Sequence, residues 1–320
     1  LWLLRDEAGR VIAVLGIHVD DIVCGAIPDM EHVLEPVRGA FTWGSEWRDT
    51  DFVFVGRRIQ QQDDGSILVN QAHYVKEVTL TKTDKSPDTK LVVHPELVTE
   101  FRSGIGSLQW LSGTSRGDIS ADTSLLQKPP KELTVADLLE VNSVLRYVRA
   151  TADASFRVVP IPDNELIFIA YGDAGWANAP GGKSQGGLVI TATHKSALER
   201  ETLASLLEWK SYRHQRVLRS TLASEAASLD RAYDMGYYLS MMYSEMTHDH
   251  FLASMSKRPE YEVIPVTDAR SLWGSIHRFS TTFQEKRVEI DVAALREDCR
   301  NLRWVPTTEQ VADALTKRSK

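Results

Sequence analysis

The sequence predicts an α/β (α+β) protein that ends in a mixed sheet with flanking helices. Three observations carry this. Short apolar runs separated by Asp/Gly turns fill the stretch up to Val69, the pattern of hairpins. Between about residues 100 and 150 apolar residues recur at helical spacing. Beyond residue 160 the order becomes three strands, helix, strand, helix, strand, helix, which builds a mixed sheet with helices packed on it. With 320 residues, 42% apolar and 25% charged, the chain has globular composition and the length of about two domains.

The elements follow in order. Leu1–Leu4 and Val11–Ile17 flank the turn Asp6–Arg10 and read as a hairpin. A second turn, His18-Val19-Asp20-Asp21, leads into Ile22-Val23-Cys24. Phe52–Ile59 and Ile67–Val69 flank Asp63-Asp64-Gly65-Ser66 as another hairpin. Ile105, Leu108 and Leu111, then Leu138, Val141, Leu145 and Val148, mark helices. In the second half, Leu166–Tyr171, Gly186–Thr193 and Leu206–Tyr212 read as strands, the first two separated by the turn Pro180–Lys183. Ser220–Met246 is a long helix with the stripe Leu222, Ala226, Leu229, Tyr233, Tyr237, Met241. Tyr261–Thr267 is a fourth strand, Ala269–Arg278 and Val292–Cys299 are helices, and Leu302–Val305 is a fifth strand. Thr307 and Gln310 have capping-box spacing for a short closing helix.

Charge divides the chain. Residues 1–164 carry 17 Lys+Arg against 24 Asp+Glu, while residues 165–320 carry 20 of each. The formal net charge of -7 argues against a simple electrostatic nucleic-acid binder. The pattern breaks near residues 151–165, where Pro160 and Pro162 fall, and the domain boundary is placed there. Two distant cysteines, Cys24 and Cys299, make neither a disulfide framework nor a zinc site and fit a reducing intracellular compartment. No apolar run approaches the ~18 residues that span a membrane, and Arg5, Asp6 and Glu7 interrupt any secretory leader. The chain opens on Leu1 rather than Met, as a piece of something longer would.

Four acids stand where burial should exclude them. Asp173 continues the alternation Ile167, Ile169, Tyr171 and shares their face. Asp268 follows Ile264 and Val266 in the same way. Glu225 lies on the apolar stripe of its helix, and Asp313 sits beside Val311, Ala312 and Leu315. Singly, such acids are most often turn, cap or rim residues. Together, on separate core elements, they are costly unless they share a cation. Oxygen donors without Cys or His suit Mg2+ or Mn2+. Two such ions about 4 Å apart form the clamp used for in-line phosphodiester chemistry. No Ser-His-Asp or Cys-His set and no organic cofactor motif presents itself.

The residues around these acids resemble the ribonuclease H domain of copia-type retrotransposon polyproteins. Tyr171-Gly172-Asp173-Ala174-Gly175-Trp176-Ala177, Lys183-Ser184-Gln185-Gly186-Gly187 and Trp209-Lys210-Ser211 resemble its opening strands. Ser220-Thr221-Leu222-Ala223-Ser224-Glu225-Ala226 resembles its helix with a catalytic Glu. Thr267–Leu272 resembles its D-N-x-x-A segment, and Val305–Lys317 its closing V-P-T-x-x-Q-x-A-D-x-x-T-K. The first half is similar to the same polyprotein's reverse transcriptase. Val19-Asp20-Asp21 resembles the Y-V-D-D turn of the palm, Phe54-Val55-Gly56 its F-L-G, Phe101–Leu111 the Y-R-S-x-I-G-S-L-x-Y-L stretch, and Leu145–Thr151 L-R-Y-L-K-G-T. Nearly the whole chain is covered.

The resemblance implies a palm remnant over 1–80, a thumb- or connection-like helical region over 81–160, and a ribonuclease H-like five-stranded unit over 161–320. It implies that Asp173, Glu225, Asp268 and Asp313 are the catalytic, metal-binding acids for two Mg2+ or Mn2+ ions, and that Asp20 and Asp21 are a polymerase-motif remnant. The substrate would be an RNA–DNA hybrid, and the missing upstream polyprotein segment would be a partner. The expected location is intracellular, in cytoplasmic virus-like particles or the nucleus. The family's first catalytic palm Asp and its fingers precede the position of Leu1, so polymerase activity is not expected of this chain alone. His18 stands where the family has Tyr, and Arg287 where it has His. Lys210, Arg213, Arg216 and Arg219 cluster just ahead of the catalytic helix and read as phosphate contacts, or equally as a solvated basic loop, while Lys183 and Ser184 read as contacts to the nucleic-acid backbone in the same groove. Trp176 reads as packing rather than base stacking, and His214 and His277 as ordinary surface or rim histidines. The competing reading is a non-catalytic nucleic-acid-binding or scaffolding remnant.

Overall fold

Three sheets follow one another along the chain in the computed structural model, which describes residues 1–83, 88–278, 283 and 285–318. β1 (Trp2–Arg5), β2 (Val11–His18) and β3 (Asp21–Ala26) form an antiparallel sheet in that order. Both expected hairpins are present. The Asp6 carboxylate accepts the backbone N–H groups of Ala8 and Arg10 in the first turn, and Val19 adopts a left-handed φ of 54° in the second.

A short helix, α1 (Glu35–Ala40), precedes the second sheet. The stretch expected as one strand, Phe52–Ile59, is broken there. Val55 and Gly56 have φ of 50° and 71°, and two successive left-handed residues make the tight turn whose twist suits a hairpin. The stretch therefore divides into β4 (Asp51–Phe54) and β5 (Arg57–Gln61), with Phe54 opposite Arg57. β6 (Ile67–Asn70) completes a meander. The chain then turns helical: α2 (Ala72–Glu77), α3 (Pro95–Ser112), α4 (Ser120–Leu126) and α5 (Val135–Ala150). The anticipated apolar stripes meet in one core of Ile105, Leu108, Leu111, Leu138, Val141, Leu145 and Val148. After α5 the chain returns as β7 (Phe156–Val158) and pairs with β6 as the fourth strand of the second sheet.

The third sheet holds β8 (Leu166–Ala179), β9 (Lys183–His194), β10 (Ala204–Arg213), then, after the long helix α6 (Thr221–Thr247), β11 (Val263–Thr267). Helices α7 (Arg270–His277) and α8 (Lys286–Asp298) precede its last strand, β12 (Arg303–Trp304). The spatial order is β10-β9-β8-β11-β12. β8, β9 and β10 are antiparallel neighbours, while β11 runs parallel to both β8 and β12. This is the ribonuclease H-like mixed five-stranded sheet that the resemblance implies. β8 is its central strand and runs eight residues beyond Tyr171, so Asp173 lies within the strand rather than after it.

α6 begins where Ser220 accepts the N–H of Ala223, an N-cap that satisfies one free donor of the first turn. The helix crosses β8 at Gly172. A Cβ there would stand 2.7 Å from the Leu229 Cα and 2.9 Å from the Ser228 carbonyl oxygen. Gly172→Ala must push helix and strand apart, and is expected to cost about 1–3 kcal/mol or more; urea unfolding of the variant measures it, and unchanged stability contradicts this packing.

The closing segment differs from the expected capped helix. It forms two 3-10 turns, Thr307–Glu309 and Val311–Leu315. Thr307 does not cap them: Pro306 holds the N-cap position of the first turn, and the Thr307 hydroxyl donates to Asp268. Gln310 instead donates its amide N–H to the Gly172 carbonyl and accepts the Ala312 N–H.

The helical region and the third sheet are tied by polar contacts. The Trp209 indole N–H reaches the Ser112 carbonyl at 2.6 Å. Gln185 donates to Ser124 at 2.7 Å, and Arg318 reaches Glu140 at 2.9 Å. No helix among the described residues is long and apolar enough to cross a membrane.

Candidate functional site

Two strands and a helix bring three acids together. Asp173 comes from the middle of β8, Glu225 from the first turns of α6, and Asp268 from the residue after β11. β8 and β11 are parallel neighbours, so both strands deliver their acids to the same end of the sheet. One carboxylate oxygen from each lies within 4.8 Å of the other two.

The electrostatics follow from this crowding. Asp173 is 4% exposed; burial and the charges of Asp268 and Asp313 push its carboxyl above the usual range, against a hydrogen bond from Thr316. Glu225 is pushed up to about 9, first by burial and then by Asp173 and Asp268. Its Oε2 is buried without a hydrogen-bond partner. A buried carboxylate oxygen with no donor, on a group crowded by two further carboxylates, is unfavourable unless a proton or a cation satisfies it. An all-oxygen donor set without His or Cys fits a hard divalent ion such as Mg2+ or Mn2+.

Asp313 stands apart from this trio. Its Oδ1 accepts the Lys317 ammonium one turn on. It remains near enough to raise Asp173 and Glu225, but its own charge is already matched. The expected four-acid set is thus three converging acids and a fourth held by a lysine. The sequence signal for that lysine is its i+4 position, where the two side chains meet.

Asp20 and Asp21 are exposed at the tip of the β2–β3 hairpin, in a different sheet. Among the described residues no third Asp, Glu, His or Cys joins them in a metal-binding group. The basic residues scatter as well. Lys210 and Arg219 are exposed. Arg213 reaches the Gln127 carbonyl at 3.4 Å, and Arg216 is paired with Asp291 at 2.8 Å. Ser184 is 0% exposed and its hydroxyl accepts the Ala177 N–H. It is a packing residue and not a phosphate contact, because β9 is covered on both faces. Lys183, beside it, stays partly exposed.

One further residue, His214, differs from its sequence reading. His214 is buried rather than at a rim: its backbone N–H donates to the Ser184 carbonyl and its Nε2 lies 3.0 Å from Ser228 Oγ. Burial, with Arg231 and Arg216, holds its pKa down at about 4. Trp176 has a half-exposed ring, yet its indole N–H donates to the Leu218 carbonyl at 2.9 Å, which fixes it in the loop before α6. His277 is exposed, as read, and stacks on Trp273 at 4.3 Å. The residues that sequence reasoning missed are Thr307 and Thr316. Their hydroxyls donate to Asp268 Oδ2 and Asp173 Oδ2, each at 2.7 Å.

No family model matches the chain. The uncharacterized mitochondrial protein AtMg00810 of Arabidopsis thaliana is 30% identical over 134 residues, 41% of this chain and 50% of that protein. The chain therefore spans about half the length of the curated relative it matches. Among solved structures, the N-terminal RNase H domain of Rv2228c from Mycobacterium tuberculosis, fused to maltose-binding protein, is 16% identical. It covers 47% of this chain and 91% of its own, with a TM-score of 0.30. The foamy viral protease–reverse transcriptase in complex with dsDNA is 11% identical, covering 91% of this chain and 54% of its own, with a TM-score of 0.47. The fold class rests on the sheet order and strand directions of this chain rather than on those loose overlaps.

Proposed function

We propose that residues 161–320 form a retrotransposon-type ribonuclease H unit that hydrolyses the RNA strand of an RNA–DNA hybrid, carried behind a palm remnant (1–80) and a connection-like helical region (81–160). The observation that carries the reading is the convergence of Asp173, Glu225 and Asp268, one carboxylate oxygen of each within 4.8 Å of the other two, together with a buried Glu225 oxygen that has no hydrogen-bond partner. Asp173, Glu225 and Asp268 would hold the cations, and Asp313 would join them when Lys317 gives way. Bound there, two Mg2+ or Mn2+ ions supply an activated water and stabilisation of the leaving 3′-oxygen. The chain's own part is to fix three carboxylates, to exclude bulk water from Glu225 and Asp173, and to present Lys183, Lys210 and Arg219 to the phosphate backbone. Charge-assisted contacts of that kind position the duplex without reading sequence.

The test separates the strands. With either strand end-labelled, Mg2+ is expected to give cleavage of the RNA strand alone, leaving the DNA strand and duplex DNA intact. Equal cutting of both strands, or of duplex DNA, contradicts the assignment. Asp20 and Asp21 take no part in it, being on another sheet. Asp20→Asn is expected to leave hybrid cleavage within twofold of the unaltered chain; a loss of tenfold or more in a folded variant would show that the hairpin tip reaches the substrate.

A further inference from the structure

Three polar residues of the closing segment, Thr307, Gln310 and Thr316, have no part in the reading above, yet each is tied to the acid site. Thr307 Oγ donates to Asp268 and Thr316 Oγ to Asp173. The Gln310 amide donates at 3.0 Å to the carbonyl of Gly172, the residue before Asp173. Lys317 takes Asp313. The segment is itself pinned down. Asn178 donates to the Thr316 carbonyl at 2.8 Å, and Ser211 to the Leu315 carbonyl at 2.5 Å. It lies directly on Gly187, the β9 residue opposite Asp173. A Cβ on Gly187 would meet the Ala312 carbonyl oxygen at 2.8 Å and the Leu315 Cβ at 2.9 Å. Beyond it, Arg318 reaches Glu140 of α5 and Asp122 of α4.

We propose that residues 307–318 are a clasp in which Thr307 and Thr316 are positioning residues for Asp268 and Asp173, an inference that rests on the metal-dependent reading of those acids. Carboxylates gathered around a cation site repel one another and would swing apart. A neutral hydroxyl donating to one oxygen fixes the carboxylate's orientation and leaves its full charge for the cation. A lysine cannot do this, because it cancels the charge it holds. The segment uses both devices: hydroxyls on two acids of the converging trio, and an ammonium on Asp313, which stands outside it. The Thr316 hydroxyl also lies 3.0 Å from the Asp313 carbonyl, but its one proton favours the shorter contact to the charged acceptor. Groups that orient metal ligands in this way commonly account for about 10–100-fold in metal affinity or activity.

The experiment is calorimetric titration of the full chain with Mn2+ at one fixed pH, paired with steady-state hybrid cleavage. The chains compared are the unaltered one, Thr316→Val, Thr307→Val and Thr316→Ser. Each Val variant is expected to bind Mn2+ about 10–100-fold more weakly and to lose kcat with KM for the hybrid unchanged, while Thr316→Ser restores both. Thr307 is exposed, so its variant decides the matter even where Thr316→Val fails to fold. Unaltered Mn2+ affinity in the folded Val variants overturns the inference. So does a loss that serine does not restore, since the contact would then be packing. An unaltered chain that binds no Mn2+ overturns the metal reading itself, an outcome distinct from the other two.

Discussion

Asp173→Asn is expected to lower hybrid cleavage on the order of thousands-fold while leaving the metal-free fold as stable as before, or more so. The substitution keeps the size of the side chain and can keep an acceptor for the Thr316 hydroxyl. It removes the negative charge that, on the proposed function, would hold a cation at the centre of β8. Losing one ligand of such a site costs several kcal/mol of transition-state stabilisation, and each ~1.4 kcal/mol is tenfold in rate. Stability moves the other way because burial and the charge of Asp268 push the Asp173 carboxyl up, and Asp173 in turn helps to push up Glu225. Without metal, deleting one charge relieves that repulsion. Cleavage rate and metal-free melting temperature of Asp173→Asn, with Asp268→Asn beside it, measure both parts. Normal cleavage would show the site to be misassigned. Unfolding of the metal-free variant would make the acids structural partners and favour the scaffolding remnant.

The second large effect is on stability against pH. Glu225 in the folded protein keeps its proton up to about 9, against an ordinary value of 4.5. Between those values the native state holds a proton that the unfolded chain has released. Stability then falls as pH rises. It is fully present below about pH 4.5 and is lost progressively towards pH 9, with Asp173, also raised, adding in the same direction. The metal-free melting temperature is therefore expected to drop across this window. In Glu225→Gln the slope is flatter and the melting temperature at pH 8–9 is higher. Saturating Mg2+ reverses the trend, because ligation requires the deprotonated carboxylate and so strengthens with pH. A metal-free melting temperature that rises through the window, equally in both proteins, contradicts the protonated Glu225.

Much of this site was legible because its residues break a local rule. Asp173, Asp268 and Glu225 each interrupt an apolar pattern whose period is set by strand or helix geometry, and such an interruption shows in one sequence. Helices α3, α5 and α6 were legible from the periodicity itself, where apolar residues keep helical spacing. What failed depended on neighbours distant in sequence. The turn at Val55–Gly56 looked like the interior of a strand, since a valine with left-handed φ leaves no compositional mark. Ser184 read as a phosphate contact because nothing local says that β9 is covered on both faces. His214 read as a rim residue because its partner, Ser228, lies on the following helix. The hydroxyls of Thr307 and Thr316 were present in the closing motif, but threonine carries no charge or periodicity to betray a carboxylate partner 39 or 143 positions away. Lys317 was the missed signal that could have been read, lying four residues beyond Asp313.

The most direct measurement of the central claim follows a labelled RNA strand annealed to DNA, incubated with the full chain in Mg2+, in EDTA, and with Glu225→Gln in Mg2+. The account predicts shortening of the RNA in the first mixture only. RNA left intact by the folded, unaltered chain in Mg2+ and in Mn2+, or cut equally well in EDTA or by Glu225→Gln, contradicts it.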